Sequence, residues 1–370
     1  MLAGQWLAGE VIDMKAAIVG TGFMGLVHAQ AIQSNDIEIL GFLGSSLEKS
    51  NEIAKSFGGA RGYSTIDQLL DQKPDVLHIC TPNSTHLEYV KAAAERGIGV
   101  VVEKPITSTF QDASTMLSLA PKLKVHAVPF VYRYHPIVLE LRKRVLENKS
   151  NNLWLLHGSY LQDWLAGSMT QNWRSNSALA GQTRAFGDIG VHWCDLMEFV
   201  TGHRITRLSA NMARISGIDT EDGVTLSFET DKGAIGSTVI SQCSAGRSNR
   251  LWFSFDGTEE SYSFDQEHPE TGWVGTLGDN RIIRRDPNTQ TGLSVRPNAL
   301  PAGHPQGYQN CFNDFVTDVY AAASGSELSE VMPTISDGFR AAEIAEAVIN
   351  SCETQSWVDV PQNSQSVAAK

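Results

Sequence analysis

The sequence predicts an α/β protein in which a doubly wound parallel sheet is followed by an α+β domain with an open, mostly antiparallel sheet. Apolar strand-like runs alternate with helix-like runs as far as residue 131, as expected for parallel strands buried on both faces. Beyond that point, strand-like runs follow one another around hairpin signals. With 370 residues the chain is long enough for two domains. We predict domains at 14–131 and 132–361, with terminal arms at 1–13 and 362–370.

The composition argues against several classes of protein. The hydrophobic fraction of 42% and charged fraction of 19% are typical of a globular protein, and the apolar runs are shorter than a membrane span. The net charge of −12 argues against nucleic acid or an anionic membrane as partner. Five widely spaced cysteines suggest neither a disulfide framework nor a metal site, and the leader lacks a basic signal-peptide region. We expect a cytoplasmic protein with small-molecule partners and no metal.

The first apolar strand runs into a glycine turn, in the sequence KAAIVGTGFMG. Gly20, Gly22 and Gly25 fit G-x-G-x-x-G, and a helix begins at about Phe23 and Met24. In this pattern the first glycine permits the tight turn, the second lets a pyrophosphate approach the backbone, and the third lets the helix pack on the strand. The free N–H groups of the helix start bind anions. The stretch therefore predicts a dinucleotide site in a Rossmann domain.

Further strands and helices of this domain follow in alternation. We predict strands at Glu38–Leu43, Asp75–Cys80, Gly99–Glu103 and Val125–Val131, and helices at Leu47–Phe57 and Ser84–Arg96. Ligands of such sheets bind at the carboxyl ends of the strands, so the loops there are the expected binding elements.

The loop after the second strand bears on the choice between NAD and NADP. An NAD-binding domain usually has an acidic residue there for the ribose 2′-hydroxyl, whereas this chain has Ser45 and Ser46 with Lys49 nearby. Two hydroxyls and a cation suit a 2′-phosphate, so NADP is slightly favoured over NAD. The alternative is that Ser46 only caps the next helix.

The next two strand ends supply the remaining cofactor candidates. After the third predicted strand come Thr81, Pro82, Asn83 and His86, where the nicotinamide ribose is expected, although Asn83 or Ser84 could simply cap a helix. After the next strand come Glu103, Lys104 and Pro105. Beside a bound cofactor, Lys104 could hold an alkoxide; alternatively it is a surface lysine.

The second domain is predicted from a different pattern. We expect helices at His135–Asn148, Asp188–Val200, Gln306–Ser324 and Thr334–Cys352, and strands at Leu153–Trp164, Ile205–Ile215, Val224–Glu229, Ala234–Gln242, Leu251–Phe255, Ser261–Phe264 and Trp357–Asp359. Asp188 and His192 are one helical turn apart, so the carboxylate could orient an imidazole that acts as general base. The alternative is a helix-starting aspartate and a structural histidine.

Four motifs in this order, GTGFMG, CTPNSTH, EKP and GDIGVHWCDL, resemble the glucose-fructose oxidoreductase/inositol dehydrogenase family, often called Gfo/Idh/MocA. The resemblance extends from about Lys15 to Val360. It implies a cleft between two domains that holds NAD(P) and a sugar, sugar derivative or cyclitol. It also implies that Lys104, Asp188 and His192 form the catalytic set and contact the substrate.

Three further stretches, QDWL, NWR and HPQGY, resemble sugar-oxidising members of this family. By that similarity Tyr132, Gln162 and Trp173 are substrate candidates, and Trp173 and Arg174 are cofactor contacts. The alternative for the tryptophan is packing between sheet and loop.

The sequence thus predicts an NAD(P)-dependent dehydrogenase that oxidises a secondary hydroxyl of a sugar-like ring or reduces the matching ketone. Two alternatives stay open: a reductase of a less polar ring substrate, and a regulatory NAD(P)-binding protein without turnover. We also expect a homodimer or homotetramer, formed through an open sheet face that carries Phe228, Ile235, Val239, Leu251 and Phe253.

Overall fold

The computed structural model describes residues 14–167, 181–217, 220–289, 292, 296 and 299–362. Two of the predicted site residues, Trp173 and Arg174, lie outside the described residues, as do the arm at 1–13 and residues 363–370. The described chain contains two sheets, one of six strands and one of nine. No helix in the described ranges is long and apolar enough to cross a membrane.

The first sheet is parallel and has the strand order β3-β2-β1-β4-β5-β6. Its strands are β1 (Lys15–Val19), β2 (Glu38–Leu43), β3 (Arg61–Tyr63), β4 (Val76–Ile79), β5 (Gly99–Val102) and β6 (His126–Ala127). The intervening helices are α1 (Phe23–Gln33), α2 (Leu47–Ala54), α3 (Ile66–Leu70), α4 (His86–Ala94) and α5 (Phe110–Leu119). The order reverses between β1 and β4, and at such a switch point a ligand crevice opens beyond the strand ends. The predicted doubly wound sheet is confirmed.

The sequence misplaced several boundaries in this domain. The predicted strand Val125–Val131 is reduced to β6, because the N–H of Val128 bonds to the carbonyl of Pro333 instead of a neighbouring strand. The predicted helix start at Ser84 is also wrong. A 3₁₀ turn occupies Asn83–Thr85, and α4 begins at the next residue without a side-chain cap. The short elements β3 and α3, and helix α5, had no sequence prediction.

The second sheet has the order β14-β13-β12-β11-β7-β10-β9-β8-β15 and is antiparallel except where β7 pairs with β10. Its strands are β7 (Leu153–Leu161), β8 (Ile205–Ala213), β9 (Gly223–Thr230), β10 (Ile235–Ser241), β11 (Arg250–Gly257), β12 (Glu260–Asp265), β13 (Thr271–Thr276), β14 (Asn280–Arg284) and β15 (Val358–Asp359). The helices are α6 (Pro136–Glu147), α7 (Val191–Thr201), α8 (Tyr308–Ala323) and α9 (Ile335–Thr354). The mostly antiparallel sheet is confirmed; β13 and β14 were not predicted.

The two faces of this sheet differ, and the residues predicted for one open face are divided between them. Phe228, Leu251 and Phe253 are at most 1% exposed and lie in the core; the Phe228 ring contacts that of Trp193 on α7. Ile235 and Val239 lie on the opposite face and are 53% and 46% exposed. The prediction of one shared face was wrong. The register places Gly236, and not Ile235, opposite Phe228, and neighbouring residues of a strand point to opposite faces.

Helices α8 and α9 join the two sheets. Helix α8 packs against α1, where the Thr317 hydroxyl donates to Asn35 Oδ1 at 2.6 Å. Helix α9 packs against α5, and the rings of Phe110 and Phe339 stack with centroids 5.4 Å apart. Helix α9 also packs against β8 of the second sheet, so it connects the two domains.

Candidate active site

The glycine turn has the space that a pyrophosphate needs. Gly20 has a φ of +100°, and an added Cβ would lie 2.4 Å from the carbonyl oxygen of Cys80. A Cβ on Gly25 would lie 2.1 Å from the carbonyl oxygen of Gly20, so α1 can approach the strand only through a glycine. A Cβ on Gly22 would meet nothing within 4 Å. The start of α1, with Phe23 and Met24, therefore faces open space, and the residues present fit a dinucleotide.

The loop after β2 carries no carboxylate. The Ser46 hydroxyl accepts the N–H of Lys49 at 3.3 Å and caps α2, as the alternative interpretation held. The neighbouring Ser45 and the side chain of Lys49 are exposed. The cap engages only one of the two serine hydroxyls, so a ribose-facing role for Ser45 and Lys49 stays a prediction.

The His86 side chain stabilises the loop after β4 through hydrogen bonds to the backbone. This side chain is fully buried; its Nε2 lies 2.8 Å from the carbonyl oxygen of Thr81, and its Nδ1 lies 3.2 Å from that of Ile106. Burial lowers the pKa of His86 despite these bonds. A side chain so enclosed supports the loop that carries Thr81, Pro82 and Asn83, and contact of His86 with the cofactor stays a prediction.

Six of the predicted site residues line a cleft at this edge: Met24, Thr81, Asn83, Glu103, Lys104 and Asp188. Its lining combines the start of α1, the loops after β4 and β5, and the segment before α7: Met24, Cys80, Thr81, Asn83, Glu103, Lys104, Pro105, Thr183, Arg184, Gly187 and Asp188. The parallel sheet thus supplies one wall and the second domain supplies the other.

Lys104 and Asp188 form an ion pair across this cleft. Lys104 Nζ donates to Asp188 Oδ1 at 2.7 Å and to the carbonyl oxygen of the same residue at 2.7 Å. The side chains are 14% and 18% exposed, so the pair is largely desolvated but reachable from the cleft. The other carboxylate oxygen, Oδ2, accepts the amide of Gln242 at 2.7 Å. The interpretation of Lys104 as a surface lysine is therefore excluded.

The backbone around Asp188 is a π-helical turn, Phe186–Gly190, that leads directly into α7. Insertions of this kind widen a helical turn and occur often at functional sites. Its start is held by Glu221, a buried carboxylate that accepts the N–H groups of Arg184 and Phe186 at 2.8 Å each. The predicted helix start at Asp188 therefore lies inside a continuous helical segment.

His192 lies one turn further along, at the start of α7. It is 6% exposed and packs edge-to-face on Tyr132, with ring centroids 5.1 Å apart. Its Nδ1 is buried and has no hydrogen-bond partner among the described residues. Burial and the positive charge of Lys104 hold the pKa of His192 well below its usual value, against the opposing effect of Asp188. The imidazole is consequently neutral at neutral pH and able to accept a proton.

A chain of polar side chains extends from His192 along the second sheet. The hydroxyls of Tyr132 and Tyr160 are 2.5 Å apart, and Tyr160 donates to Asn249 Oδ1 at 2.8 Å. Gln162 donates to the same oxygen at 2.7 Å and accepts the indole N–H of Trp164 at 2.9 Å. Burial raises the pKa of Tyr132, so its phenol stays protonated. Two predicted substrate residues, Tyr132 and Gln162, thus belong to one network.

Two family models match this chain. The oxidoreductase family with an NAD-binding Rossmann fold matches residues 14–130, and the GFO/IDH/MocA C-terminal domain matches residues 138–263. The chain belongs to the Gfo/Idh/MocA family. The resemblance found in the four motifs is confirmed, and the chain is an oxidoreductase of this family.

Similar proteins cover almost the whole chain. The levoglucosan dehydrogenase of Pseudarthrobacter phenanthrenivorans is 28% identical over 95% of this chain and 99% of its own. The glucose-6-phosphate 3-dehydrogenase of Bacillus subtilis is 22% identical over 90% of this chain and 94% of its own. A solved structure of levoglucosan dehydrogenase in complex with NADH and levoglucosan has a TM-score of 0.86 at 27% identity, covering 94% of this chain and 99% of that one.

Sequence reasoning missed several residues that shape this family member's site. Gln242, Tyr160 and Asn249 each form a hydrogen bond with a predicted site residue. Glu221 instead holds the backbone just before Asp188. Of these residues, only Gln242 had a feature in the sequence that pointed to the site, because it is the last residue of a predicted strand. Its direction relative to β7 was not predicted, so its position beside Asp188 could not be inferred.

The depressed pKa of His192 leads to a pH prediction. A histidine that serves as a general base is active only when neutral, so with His192 in the predicted role kcat/KM for oxidation should fall as pH decreases through this pKa. The inflection should lie below the ordinary value of 6.5, with a plateau at neutral pH and above. Steady-state rates measured against pH, with cofactor affinity followed separately, test this. An inflection assigned to His192 above pH 7 would contradict it.

Proposed function

We propose that this protein is an NAD(P)-dependent dehydrogenase that oxidises a secondary hydroxyl of a sugar, anhydrosugar or cyclitol, or reduces the corresponding ketone. The observation that carries this proposal is the Lys104–Asp188 ion pair, 2.7 Å long, in a cleft that Met24 at the start of α1 also lines. The charges of both residues act on the imidazole of His192. A positive donor and a neutral base together meet the needs of alcohol oxidation.

The glycine turn, the start of α1 and the loop after β4 would hold the dinucleotide. When bound, it supplies the hydride acceptor for oxidation or the hydride donor for reduction. Trp173 and Arg174 remain predicted contacts with it. We also place the protein in the cytoplasm, as its cysteine usage suggests.

The chain's own residues handle the proton and the charge. During oxidation, His192 takes the hydroxyl proton, and Lys104 stabilises the negative charge that develops on the oxygen. Asp188 positions the ammonium group and raises the basicity of the imidazole electrostatically, in opposition to Lys104. Gln242 fixes the second oxygen of Asp188 and thereby the direction of the ion pair.

The polar wall supports a sugar-like substrate. Tyr132, Gln162 and Asn249 present hydroxyl and amide groups near His192, and such groups recognise ring hydroxyls. The similar levoglucosan and glucose-6-phosphate 3-dehydrogenases are named for substrates of this kind. This polar wall favours a substrate that carries hydroxyls over a less polar ring. A regulatory protein would have no use for the Lys104–Asp188–His192 set.

Removing the reacting groups should abolish turnover without abolishing cofactor binding. Lys104→Met removes the positive hydrogen-bond donor and should lower kcat by a factor on the order of 10²–10³. His192→Ala should lower the rate by about 10²–10⁴ and flatten its pH dependence, because the base is lost. The assay is nicotinamide absorbance with a panel of levoglucosan, glucose, glucosides and inositols. The proposal would be refuted if the wild type turned over none of these substrates, or if both variants kept near-normal rates.

Cofactor choice is proposed to favour NADP over NAD. Lys49→Ala should weaken the binding of NADP and leave the binding of NAD unchanged, because only the 2′-phosphate interacts with the lysine cation. Ser45→Asp should shift the binding preference toward NAD. Lys55→Ala, at the other end of the same helix, is the matched control. Dissociation constants by nicotinamide fluorescence decide the question. If the wild type binds NAD more than ten times tighter than NADP, a difference of about 1.4 kcal/mol, then the absence of a carboxylate after β2 does not indicate a preference for NADP.

We further propose that two copies pair through the open face of the second sheet, as a dimer or within a tetramer. This face carries exposed Trp154, Ile235, Val239 and Ile282. Val239→Glu should shift the mass measured by light scattering toward the monomer, because a buried unpaired charge is costly. Leu328→Glu, at a residue 61% exposed in the loop between α8 and α9, is the control. A wild-type monomer at all concentrations would contradict the proposal.

A further inference from the structure

A line of buried polar side chains begins at Glu103, which lines the cleft beside Lys104, and runs from there into the interior. Glu103, His28 and His78 are 6%, 0% and 0% exposed, and Tyr320 is 3% exposed. The Lys104 N–H donates to Glu103 Oε2 at 3.1 Å, and the other carboxylate oxygen lies 3.0 Å from His28 Nε2. The four side chains come from the end of β5, from α1, from β4 and from α8.

The two imidazoles are bonded to one another and then to the tyrosine. His28 Nδ1 lies 2.8 Å from His78 Nδ1, with the rings almost perpendicular at 87°. His78 Nε2 lies 3.1 Å from the Tyr320 hydroxyl. Both nitrogens of each histidine are therefore engaged, in a region where an unpaired polar atom would be costly.

The chemistry of the groups determines where the protons lie. Burial alone would raise the pKa of Glu103, but the hydrogen bond and charge of His28, with the charges of Lys104 and His86, lower it overall. An ionised carboxylate only accepts, so His28 Nε2 must carry a proton. Two facing nitrogens 2.8 Å apart must share one proton, since two would repel and none would leave two lone pairs in contact.

Two proton arrangements satisfy these conditions. In one, both imidazoles are neutral, His78 Nδ1 donates to His28, and Tyr320 donates to His78. In the other, His28 carries both protons and donates to His78, which donates in turn to the hydroxyl of Tyr320. A hydroxyl can act in either sense. Burial, followed by the charge of His28, holds the pKa of His78 well below its usual value, so His78 is neutral in both arrangements.

We propose that His28 and His78, backed by Tyr320, are positioning residues for Lys104. This inference rests on the proposed function. The relay of His28, His78 and Tyr320 fixes the carboxylate of Glu103, which holds the peptide N–H of Lys104 and so the point from which its side chain reaches Asp188. Because His28 lies on α1, whose start faces the glycine turn, the relay also ties the cofactor helix to the catalytic lysine.

Glu103 lines the cleft and also makes two contacts within the protein. Both of its oxygens are engaged by His28 and by the peptide N–H of Lys104. The sequence prediction made it a cofactor contact. In the relay it connects the cofactor helix to the lysine through one carboxylate.

Two variants of His28 separate positioning from general stability. His28→Gln places an amide N–H near the position of Nε2 and can still donate to Glu103, whereas His28→Asn reaches only the position of Nδ1. We expect the Asn variant to lose about tenfold in kcat and the Gln variant to keep most of it, as small displacements of reacting groups have effects of this size or larger. Cofactor affinity should stay within about twofold in both.

Tyr134→Phe is the matched control for Tyr320→Phe. Each removes one buried tyrosine hydroxyl, but that of Tyr134 donates to Asp318 and has no link to Glu103. Tyr320→Phe should lower kcat, and Tyr134→Phe should change only the melting temperature. Equal kcat in the Gln and Asn variants of His28, or equal effects of the two tyrosine changes on kcat, would overturn the proposal.

A spectroscopic measurement on the wild type tests the relay without activity or folding of a variant. Histidine ¹⁵N shifts distinguish protonated from bare ring nitrogens. We expect a protonated Nε2 on His28 and one protonated nitrogen among the two facing Nδ1 atoms. Two protonated or two bare Nδ1 atoms would overturn the relay. Because this readout needs no substrate, a wild type without turnover counts against the proposed dehydrogenase activity alone.

Discussion

The site depends on one ion pair between groups from the two halves of the molecule. Lys104 follows β5 of the parallel sheet, and Asp188 lies in the turn before α7. Their side chains are only 14% and 18% exposed, so the charges have lost much of their hydration. A pair of this kind adds little net stability, but a partner left alone would be strongly disfavoured. The pair therefore fixes the relative position of the two walls of the cleft. The charges of the pair also act on the pKa of His192, which Lys104 lowers and Asp188 raises.

The backbone at or just before each partner of the ion pair is hydrogen-bonded to a buried glutamate. Glu103 accepts the N–H of Lys104, and Glu221 accepts the N–H groups of Arg184 and Phe186 just before Asp188. Hydrogen bonds to an ionised acceptor are stronger than those between neutral groups, and the lowered pKa of Glu103 favours its ionised form. Each reacting side chain thus starts from a fixed peptide, which suits a site that works by orientation.

The one parallel pairing in the second sheet explains where its polar residues gather. Strands β7 and β10 run side by side in the same direction, so Gln162 and Gln242 emerge at the same edge. The N–H of Gln162 bonds to the carbonyl of Ser241 at 2.7 Å. One glutamine contacts Asn249 in the polar wall, and the other holds Asp188. A wholly antiparallel arrangement of these two strands would have placed the two side chains at opposite ends of the sheet.

The sequence by itself determined the elements whose signals are local. The glycine turn and the alternation of strands and helices are short patterns whose geometry follows from spacing. The roles of Lys104, Asp188 and His192 came from the resemblance of their motifs to the family. Only the tertiary structure decided the rest. His28, His78 and Tyr320 are 50 and 242 residues apart along the chain. Whether Ile235 and Phe228 lie on the same face depends on strand register, and the bond of Gln242 to Asp188 depends on strand direction. These are consequences of long-range packing, which no local pattern encodes.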